Sequence, residues 1–220
     1  MDDDEAYDAV VLAGGAARRL GGDTDKPALE VGGRSLLDRV LDGCAGARTV
    51  VVVGPERATA GRAAGLPRVS RVREEPPGGG PVAAVAAGLP RVTAGVVLLL
   101  AADLPFFTTD TAEALVAELR RDRDVDAAVL VDEDGREQPL AAAYRSAPLG
   151  AALAALLAEH GGDPAGLPLR RLVGALRTTR VPDTSGAALD CDTWPDVERA
   201  RAEAAARAVD RPCPRPDRDG

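Results

Sequence analysis

The stretch AVVLAGGAARRLGGDTDK, residues 9–26, contains the strongest indication of the fold. It begins with the apolar run Ala9–Ala13 and continues into a loop that holds two pairs of glycines. An apolar run without polar alternation predicts a β-strand covered on both faces, as in a parallel sheet. Ligands of open α/β sheets bind beyond the carboxyl ends of the strands, so this loop is a candidate binding site.

The loop has the composition of a phosphate-binding loop. Glycines let backbone N–H groups approach phosphate oxygens closely, and Arg18, Arg19 and Lys26 offset phosphate charge. The loop matches neither the dinucleotide GxGxxG fingerprint nor the Walker loop, which needs Gly-Lys-Ser/Thr directly before a helix. Taken alone, it is also compatible with a flexible connection.

Lys26 is a single lysine among 27 Lys+Arg residues, so the bias that favours arginine elsewhere did not operate at this position. A lysine ammonium is a compact point charge that can follow a phosphate during transfer, whereas the planar guanidinium is wide. A chance lysine on a solvated loop is the alternative. The position inside the glycine-rich loop favours a phosphate contact.

Apolar runs alternate with amphipathic stretches along the rest of the chain, as expected for βαβ units. Strands are predicted at Ala9–Ala13, Thr49–Val53, Val69–Arg73, Gly95–Ala101, Ala127–Val131, Leu140–Tyr144 and Arg177–Val181. Helices are predicted at Ser35–Ala45, Pro81–Gly88, Asp110–Arg120, Pro148–His160 and Trp194–Ala208. An Asp-Gly turn within Asp132–Arg136 predicts a hairpin and thus one antiparallel strand. The predicted fold is α/β, a Rossmann-like three-layer sandwich with a mixed, mostly parallel sheet.

The 220 residues suffice for one domain, predicted at residues 1–210, followed by a disordered tail at residues 211–220. The net charge is −8 and aromatic residues make up only 2% of the chain. Duplex binding needs a basic surface, and single-strand binding usually needs aromatic platforms. A nucleic-acid partner is therefore not expected.

The chain starts with the acidic residues 2–5 rather than with the cationic region of a secretory signal. Its longest apolar run, Gly95–Ala102, is far shorter than the ~20 residues that span a bilayer. Cys44, Cys191 and Cys213 lack the spacing of a zinc site or a disulfide framework. We therefore expect a cytoplasmic location and no membrane partner.

Carboxylates follow other predicted strands at the same edge of the sheet. Asp103 comes just after the strand Gly95–Ala101, and Glu74 and Glu75 end the third strand. Mg²⁺ prefers a few carboxylates together with substrate phosphates, so Asp103 is a candidate for holding it. A turn before proline is the alternative for Asp103, and a solvated surface loop is the alternative for the two glutamates.

Other polar positions are ambiguous from the sequence alone. Gln138 precedes a predicted strand, and Asp190 and Asp192 precede the last helix, where capping explains at least one of them. Arg170 and Arg171 could bind an anionic group or lie on a solvated helix.

Together, several motifs resemble the MobA-type nucleotidyltransferases, the molybdenum cofactor guanylyltransferases within the nucleotide-diphospho-sugar transferase group. These motifs are Leu12-Ala13-Gly14-Gly15, Arg18-Arg19, a glycine pair, Asp25-Lys26, Asp103-Leu104-Pro105 and Gln138-Pro139-Leu140 with Tyr144. The resemblance covers roughly residues 7–206. The lysine stands one residue further along than in the usual family spacing.

The resemblance also implies roles for individual residues. Those implied to contact the nucleotide are Leu12, Ala13, Gly14, Gly15, Lys26, Glu75 and Asp103, with the glycine pair favouring guanine. Glu75 would stand where the family usually has an Asp. Those implied in catalysis are Arg19, Lys26 and Asp103, with Mg²⁺ on Asp103. Those implied to bind the acceptor are Gln138, Asp190 and Asp192.

The implied reaction is attack by the terminal phosphate of molybdopterin, or of its molybdenum-bearing form, on the α-phosphorus of GTP, with release of pyrophosphate. A phosphate monoester is largely dianionic at pH 7, so no general base is needed. The resemblance also implies that the protein could dock to molybdenum-insertion or molybdoenzyme partners. The alternatives are a relative that uses CTP or charges a sugar phosphate or another phosphorylated metabolite, and a non-catalytic module that binds nucleotide or cofactor.

Overall fold

The computed structural model describes residues 6–14, 20–21, 24–56 and 69–209. The strands are β1 (Tyr7–Leu12), β2 (Glu30–Val31), β3 (Arg34–Ser35), β4 (Val50–Val53), β5 (Val69–Val72), β6 (Val96–Ala101), β7 (Ala127–Val131), β8 (Glu137–Arg145) and β9 (Thr178–Pro182). The helices are α1 (Leu36–Gly43), α2 (Pro81–Gly88), α3 (Thr109–Arg121), α4 (Ser146–Glu159), α5 (Leu169–Val173) and α6 (Trp194–Val209).

Seven strands form the main sheet in the order β5-β4-β1-β6-β8-β7-β9. β8 is antiparallel to both β6 and β7, and the other neighbouring pairs are parallel. The predicted hairpin is confirmed: the N–H of Asp132 donates to the carbonyl of Arg136 at 3.0 Å. Because β8 runs in the opposite direction, its first residues lie at the edge where the parallel strands end.

Both faces of the sheet are covered, which confirms the three-layer α/β prediction. Ala9 and Val11 of β1 belong to a buried cluster with residues of α1 and α3. The alternate residues Val10 and Leu12 belong to a second cluster with residues of α2 and α4. Successive side chains of a strand point to opposite faces, so one central strand joins two apolar cores.

A third apolar cluster lies outside the main sheet and involves the small β2–β3 hairpin and α6. It consists of Leu20, Val31, Leu36, Phe106, Cys191, Val197 and Ala200. β2, β3 and α5 were not predicted from the sequence. Strands of two residues and a helix of five are too short to give a hydrophobic period.

Some predictions fall on residues that the structure does not describe. They concern Gly15 and Arg19 of the glycine-rich loop, Cys213, and the tail at residues 211–220. Within the described ranges, the helices are too short or too polar to cross a membrane.

Candidate active site

Three charged side chains from distant parts of the chain meet beyond the carboxyl ends of β1 and β6. The Lys26 ammonium forms ion pairs with the carboxylates of Asp103 and Asp192, the latter at 2.5 Å. Lys26 begins a 3-10 turn after the glycine-rich loop, Asp103 follows β6, and Asp192 precedes α6. The side chains of Lys26 and Asp103 are 16% and 14% exposed, so water screens this pair only weakly.

The two carboxylates keep Lys26 in its charged form. Burial lowers the pKa of Lys26, but the negative charges and hydrogen bonds of Asp103 and Asp192 outweigh burial, so its pKa lies above the ordinary value. Lys26 is therefore a permanent cation at neutral pH, as a residue that binds phosphates must be.

Asp190 adds a third carboxyl group to this edge. Burial, followed by the negative charges of Asp103 and Asp192, raises its pKa above the ordinary value. Cys191 lies between Asp190 and Asp192, and its backbone N–H donates to the backbone carbonyl of Asp103 at 3.2 Å. This hydrogen bond joins the segment before α6 to the end of β6.

Asp103 has unused capacity to bind a cation. Its Oδ1 atom is buried and has no hydrogen-bond partner among the residues that the structure describes. A buried carboxylate oxygen without a partner costs free energy unless a donor or a metal ion satisfies it. No three His, Cys, Asp or Glu side chains within the described ranges converge on one point to hold a metal ion.

The described part of the glycine-rich loop is held directly beside Asp103. The N–H of Ala13 donates to the carbonyl of Val53 at 2.7 Å, and the N–H of Ala102 donates to the carbonyl of Leu12 at 3.1 Å. Leu12 and Ala13 are buried, whereas Gly14 is exposed at the carboxyl edge of the sheet. The predicted nucleotide-contacting residues 12–14 and Asp103 therefore share one edge.

Gly54, which follows β4, is a positioning residue that sequence analysis missed. A Cβ atom on Gly54 would lie 2.8 Å from the carbonyl carbon of Ala13 and 2.8 Å from the nitrogen of Gly14. Its φ of +149° is a conformation that residues with a side chain rarely adopt. Glycine at this position thus lets the loop backbone lie directly against the end of β4.

Glu74 is the carboxylate that the structure places against the loop. Its side chain is buried, Oε1 accepts the N–H of Gly78 at 3.1 Å, and this atom would lie 2.9 Å from a Cβ on Gly14. Its Oε2 atom is buried without a hydrogen-bond partner in the described part of the chain. Glu75, which sequence analysis selected, is exposed and lines a groove between β5 and α2 with Arg91.

Gln138 and Arg171 each have a partner on a neighbouring segment of the chain. The amide nitrogen of Gln138 donates to Asp132 Oδ2 at 2.9 Å, which stabilises the β7–β8 hairpin. Arg171 Nη1 lies 2.9 Å from Nε2 of His160 and its Nη2 lies 3.4 Å from Glu159, at the end of α4. Both side chains therefore have a structural contact, and the role of Gln138 toward the acceptor stays a prediction.

Comparisons with known proteins agree with this geometry. The family model described as MobA-like NTP transferase domain matches residues 9–179. A molybdenum cofactor guanylyltransferase from Rhodopseudomonas palustris (strain BisB5) is 39% identical over 150 residues, which are 66% of this chain and 69% of the relative.

Two solved structures share the fold. Molybdopterin-guanine dinucleotide biosynthesis protein A from Archaeoglobus fulgidus has a TM-score of 0.66 at 20% identity and covers 90% of this chain and 99% of its own. A 2-C-methyl-D-erythritol 4-phosphate cytidylyltransferase from Thermus thermophilus has a TM-score of 0.62 at 22% identity, with coverage of 90% and 98%.

The mixed sheet has the α/β fold of the nucleotidyltransferases, and the family model together with the guanylyltransferase relative shows that the chain is an enzyme of the nucleotidyltransferase class. Within this class the chain belongs to the MobA-like NTP transferase family, whose model matches most of its length. The family resemblance noted in the sequence is thereby confirmed.

Proposed function

We propose that this protein transfers GMP from GTP to the terminal phosphate of molybdopterin or of the molybdenum cofactor. The proposal is carried by one observation. Lys26 forms ion pairs with Asp103 and Asp192 beside the loop that follows β1. The relative from Rhodopseudomonas palustris, which is named for this activity, supports the choice of reaction. A cytoplasmic location and docking to molybdoenzyme partners remain part of the proposal.

In the proposed mechanism, an oxygen of the acceptor phosphate forms a bond to the α-phosphorus of GTP. The bond from this phosphorus to the bridging oxygen breaks, and pyrophosphate leaves with the electron pair. The attacking phosphate is dianionic at neutral pH, so no side chain needs to remove a proton. Catalysis then depends on positioning and on neutralising negative charge, which Lys26 and the loop N–H groups can supply.

The residues present fit a bound Mg²⁺, which we include in the proposal. Asp103 would hold it through its buried, unpartnered Oδ1 atom. Mg²⁺ usually takes one or two carboxylates plus substrate phosphates, so Asp103 could hold it together with the phosphates of the nucleotide. When bound, Mg²⁺ would supply charge stabilisation at the phosphates.

The base of the nucleotide would be recognised near Gly14 and Glu74. Guanine presents an N–H and an amino group on one edge, and both are donors that a carboxylate can accept. The unpartnered Oε2 atom of Glu74 is such an acceptor. We therefore assign the nucleoside contact to Glu74 in preference to Glu75.

Pyrophosphate release from GTP, CTP, ATP and UTP tests the proposal, with Mg²⁺ and with or without molybdopterin. We expect release from GTP only, and only when molybdopterin is present. Release from CTP would favour the second candidate, a cytidylyltransferase, whose fold the Thermus thermophilus enzyme shares. Tight binding of GTP without pyrophosphate release with any acceptor would instead indicate a binding module.

Exchanging Lys26 for arginine is expected to lower the transfer rate at saturating GTP by about tenfold, or ~1.4 kcal/mol of transition-state stabilisation. The charge is retained, but the planar guanidinium does not fit between Asp103 and Asp192 as the ammonium does. Steady-state kinetics should show a reduced kcat with little change in KM for GTP. The converse exchange Arg123→Lys, at an exposed turn, is the control, and equal kcat values in both variants would refute the argument.

A further inference from the structure

The aromatic residues of this chain are few, and only Trp194 is exposed. The chain holds one Trp, two Tyr and two Phe. The side chains of Tyr7, Phe106, Phe107 and Tyr144 are all buried, whereas Trp194 is 44% exposed. Leaving the largest apolar side chain partly in water forgoes burial free energy. An indole this exposed, two residues from Asp192, leaves aromatic surface open to a ligand.

Trp194 lies close to the Lys26 cluster. It is two residues beyond Asp192, and two residues of extended chain reach at most about 7 Å. Trp194 is also the first residue of α6. Its main chain is held by a reciprocal cap, in which Thr193 N donates to Asp196 Oδ2 at 2.9 Å and Asp196 N donates to Thr193 Oγ1 at 3.4 Å.

The first turn of α6, which begins with Trp194, packs through Val197 against the third apolar cluster. Val197, one helical turn after Trp194, is fully buried in the third apolar cluster with Phe106 and Cys191. Phe106 is three residues after Asp103, and Cys191 lies between Asp190 and Asp192. Residues three apart are neighbours on a helix surface, so Trp194 lies beside Val197 in the first turn of α6, at the end nearest the carboxylates.

We infer that the indole of Trp194 stacks on the planar pyrimidine half of the acceptor's pterin, an inference that rests on the proposed function. This half is conjugated and flat, and its outer edge carries N–H donors. The carboxyl groups of Asp190 and Asp192 can accept from those donors while the indole covers the face. Aromatic stacking on a heterocyclic base tolerates small shifts in position and suits a substrate whose phosphate must reach the α-phosphorus.

Two variants of Trp194 test the inference by kinetics at saturating GTP. Trp194→Ala is expected to raise KM for molybdopterin by about 10- to 100-fold, because the stacking surface is removed, with KM for GTP unchanged. Trp194→Phe retains an aromatic face and should stay within about threefold of the parent. Val209→Ala, at the other large apolar residue found exposed in the described part of the chain and at the far end of α6, is the matched control and should change neither constant.

A second readout does not depend on turnover. Because Trp194 is the only tryptophan, emission excited at the red edge of the absorption, where tyrosine does not absorb, reports on this side chain alone. Titration with 6-hydroxymethylpterin phosphate should quench its emission to saturation, after correction for light absorption with free N-acetyltryptophanamide. Quenching without any pyrophosphate release would support the stacking site while the proposed transfer reaction failed. An unquenched indole, or an unchanged KM for molybdopterin in Trp194→Ala, would overturn the inference even if guanylyl transfer is established.

Discussion

Asp103→Asn is expected to lower the rate of nucleotidyl transfer by about 10²- to 10³-fold, the effect of losing several kcal/mol of charge stabilisation at the reacting phosphates. The exchange keeps the shape of the side chain and removes its charge. It also removes one of the two carboxylates that pair with Lys26. The proposed Mg²⁺ then has no anionic ligand at the end of β6, and Lys26 remains paired with Asp192 alone.

The rate should be measured as pyrophosphate release against Mg²⁺ concentration, together with a thermal melt to verify folding. We expect the Mg²⁺ concentration for half-maximal rate to rise in Asp103→Asn. Near-normal transfer with unchanged Mg²⁺ dependence would contradict the role assigned to Asp103.

Cys44→Ala provides the control for this experiment. Cys44 is buried, and burial raises the pKa of its thiol to about 12, so no thiolate is present at neutral pH. The variant should transfer at the parent rate, because the proposed chemistry uses no thiol. A loss of activity equal to that of Asp103→Asn would mean that the assay reports only general destabilisation.

The sequence predicted the sheet and its edge well because both depend on local patterns. Val-rich runs such as Val50–Val53 and Val96–Ala101 form buried parallel strands with no need for long-range information. The Asp-Gly turn predicted the antiparallel strand of the main sheet, β8. Once the direction of the strands is known, the position of Asp103 beside the glycine-rich loop follows from topology alone.

The partners of individual side chains could not be predicted in the same way. Asp192 pairs with Lys26 across 166 residues of sequence, and no local pattern encodes that contact. The choice between Glu74 and Glu75 depends on which side of the chain faces the loop after β5 ends. Side chains along a strand point alternately to its two faces, but this alternation ends where the strand stops. The sequence therefore does not show which of the two glutamates faces the loop.

The role of Gly54 could not be predicted from the sequence either, because this residue acts by lacking a side chain next to the backbone of Ala13 and Gly14. Nothing in the run Val50–Val53 indicates that the next residue supports another strand's loop. In the structure the N–H of Gly54 donates to the carbonyl of Val72 at 3.0 Å, and its α-carbon faces the Ala13–Gly14 peptide. β4 lies between β1 and β5, so Gly54 contacts the segments that carry Gly14 and Glu74 at the same time.

Gly54→Ala is therefore expected to damage both stability and nucleotide binding. The added methyl group would lie 2.8 Å from backbone atoms of Ala13 and Gly14, which cannot rotate away, and the φ of +149° adds strain. These two effects predict a loss of about 2–4 kcal/mol in the free energy of unfolding. Urea unfolding measures this loss, and calorimetric titration with GTP measures binding in the fraction that remains folded.

The matched exchange Gly95→Ala separates a steric effect at the loop from a general effect of replacing glycine. A Cβ on Gly95 would meet no atom within 4 Å, so its unfolding free energy should change by less than about 0.5 kcal/mol. In Gly54→Ala the loop must shift away from β4 to relieve the contact, so GTP affinity should fall even where the protein is folded. Equal stability and equal GTP affinity in the two variants would mean that Gly54 does not position the loop, and that backbone hydrogen bonds such as those of Ala13 to Val53 and of Ala102 to Leu12 are enough to hold it.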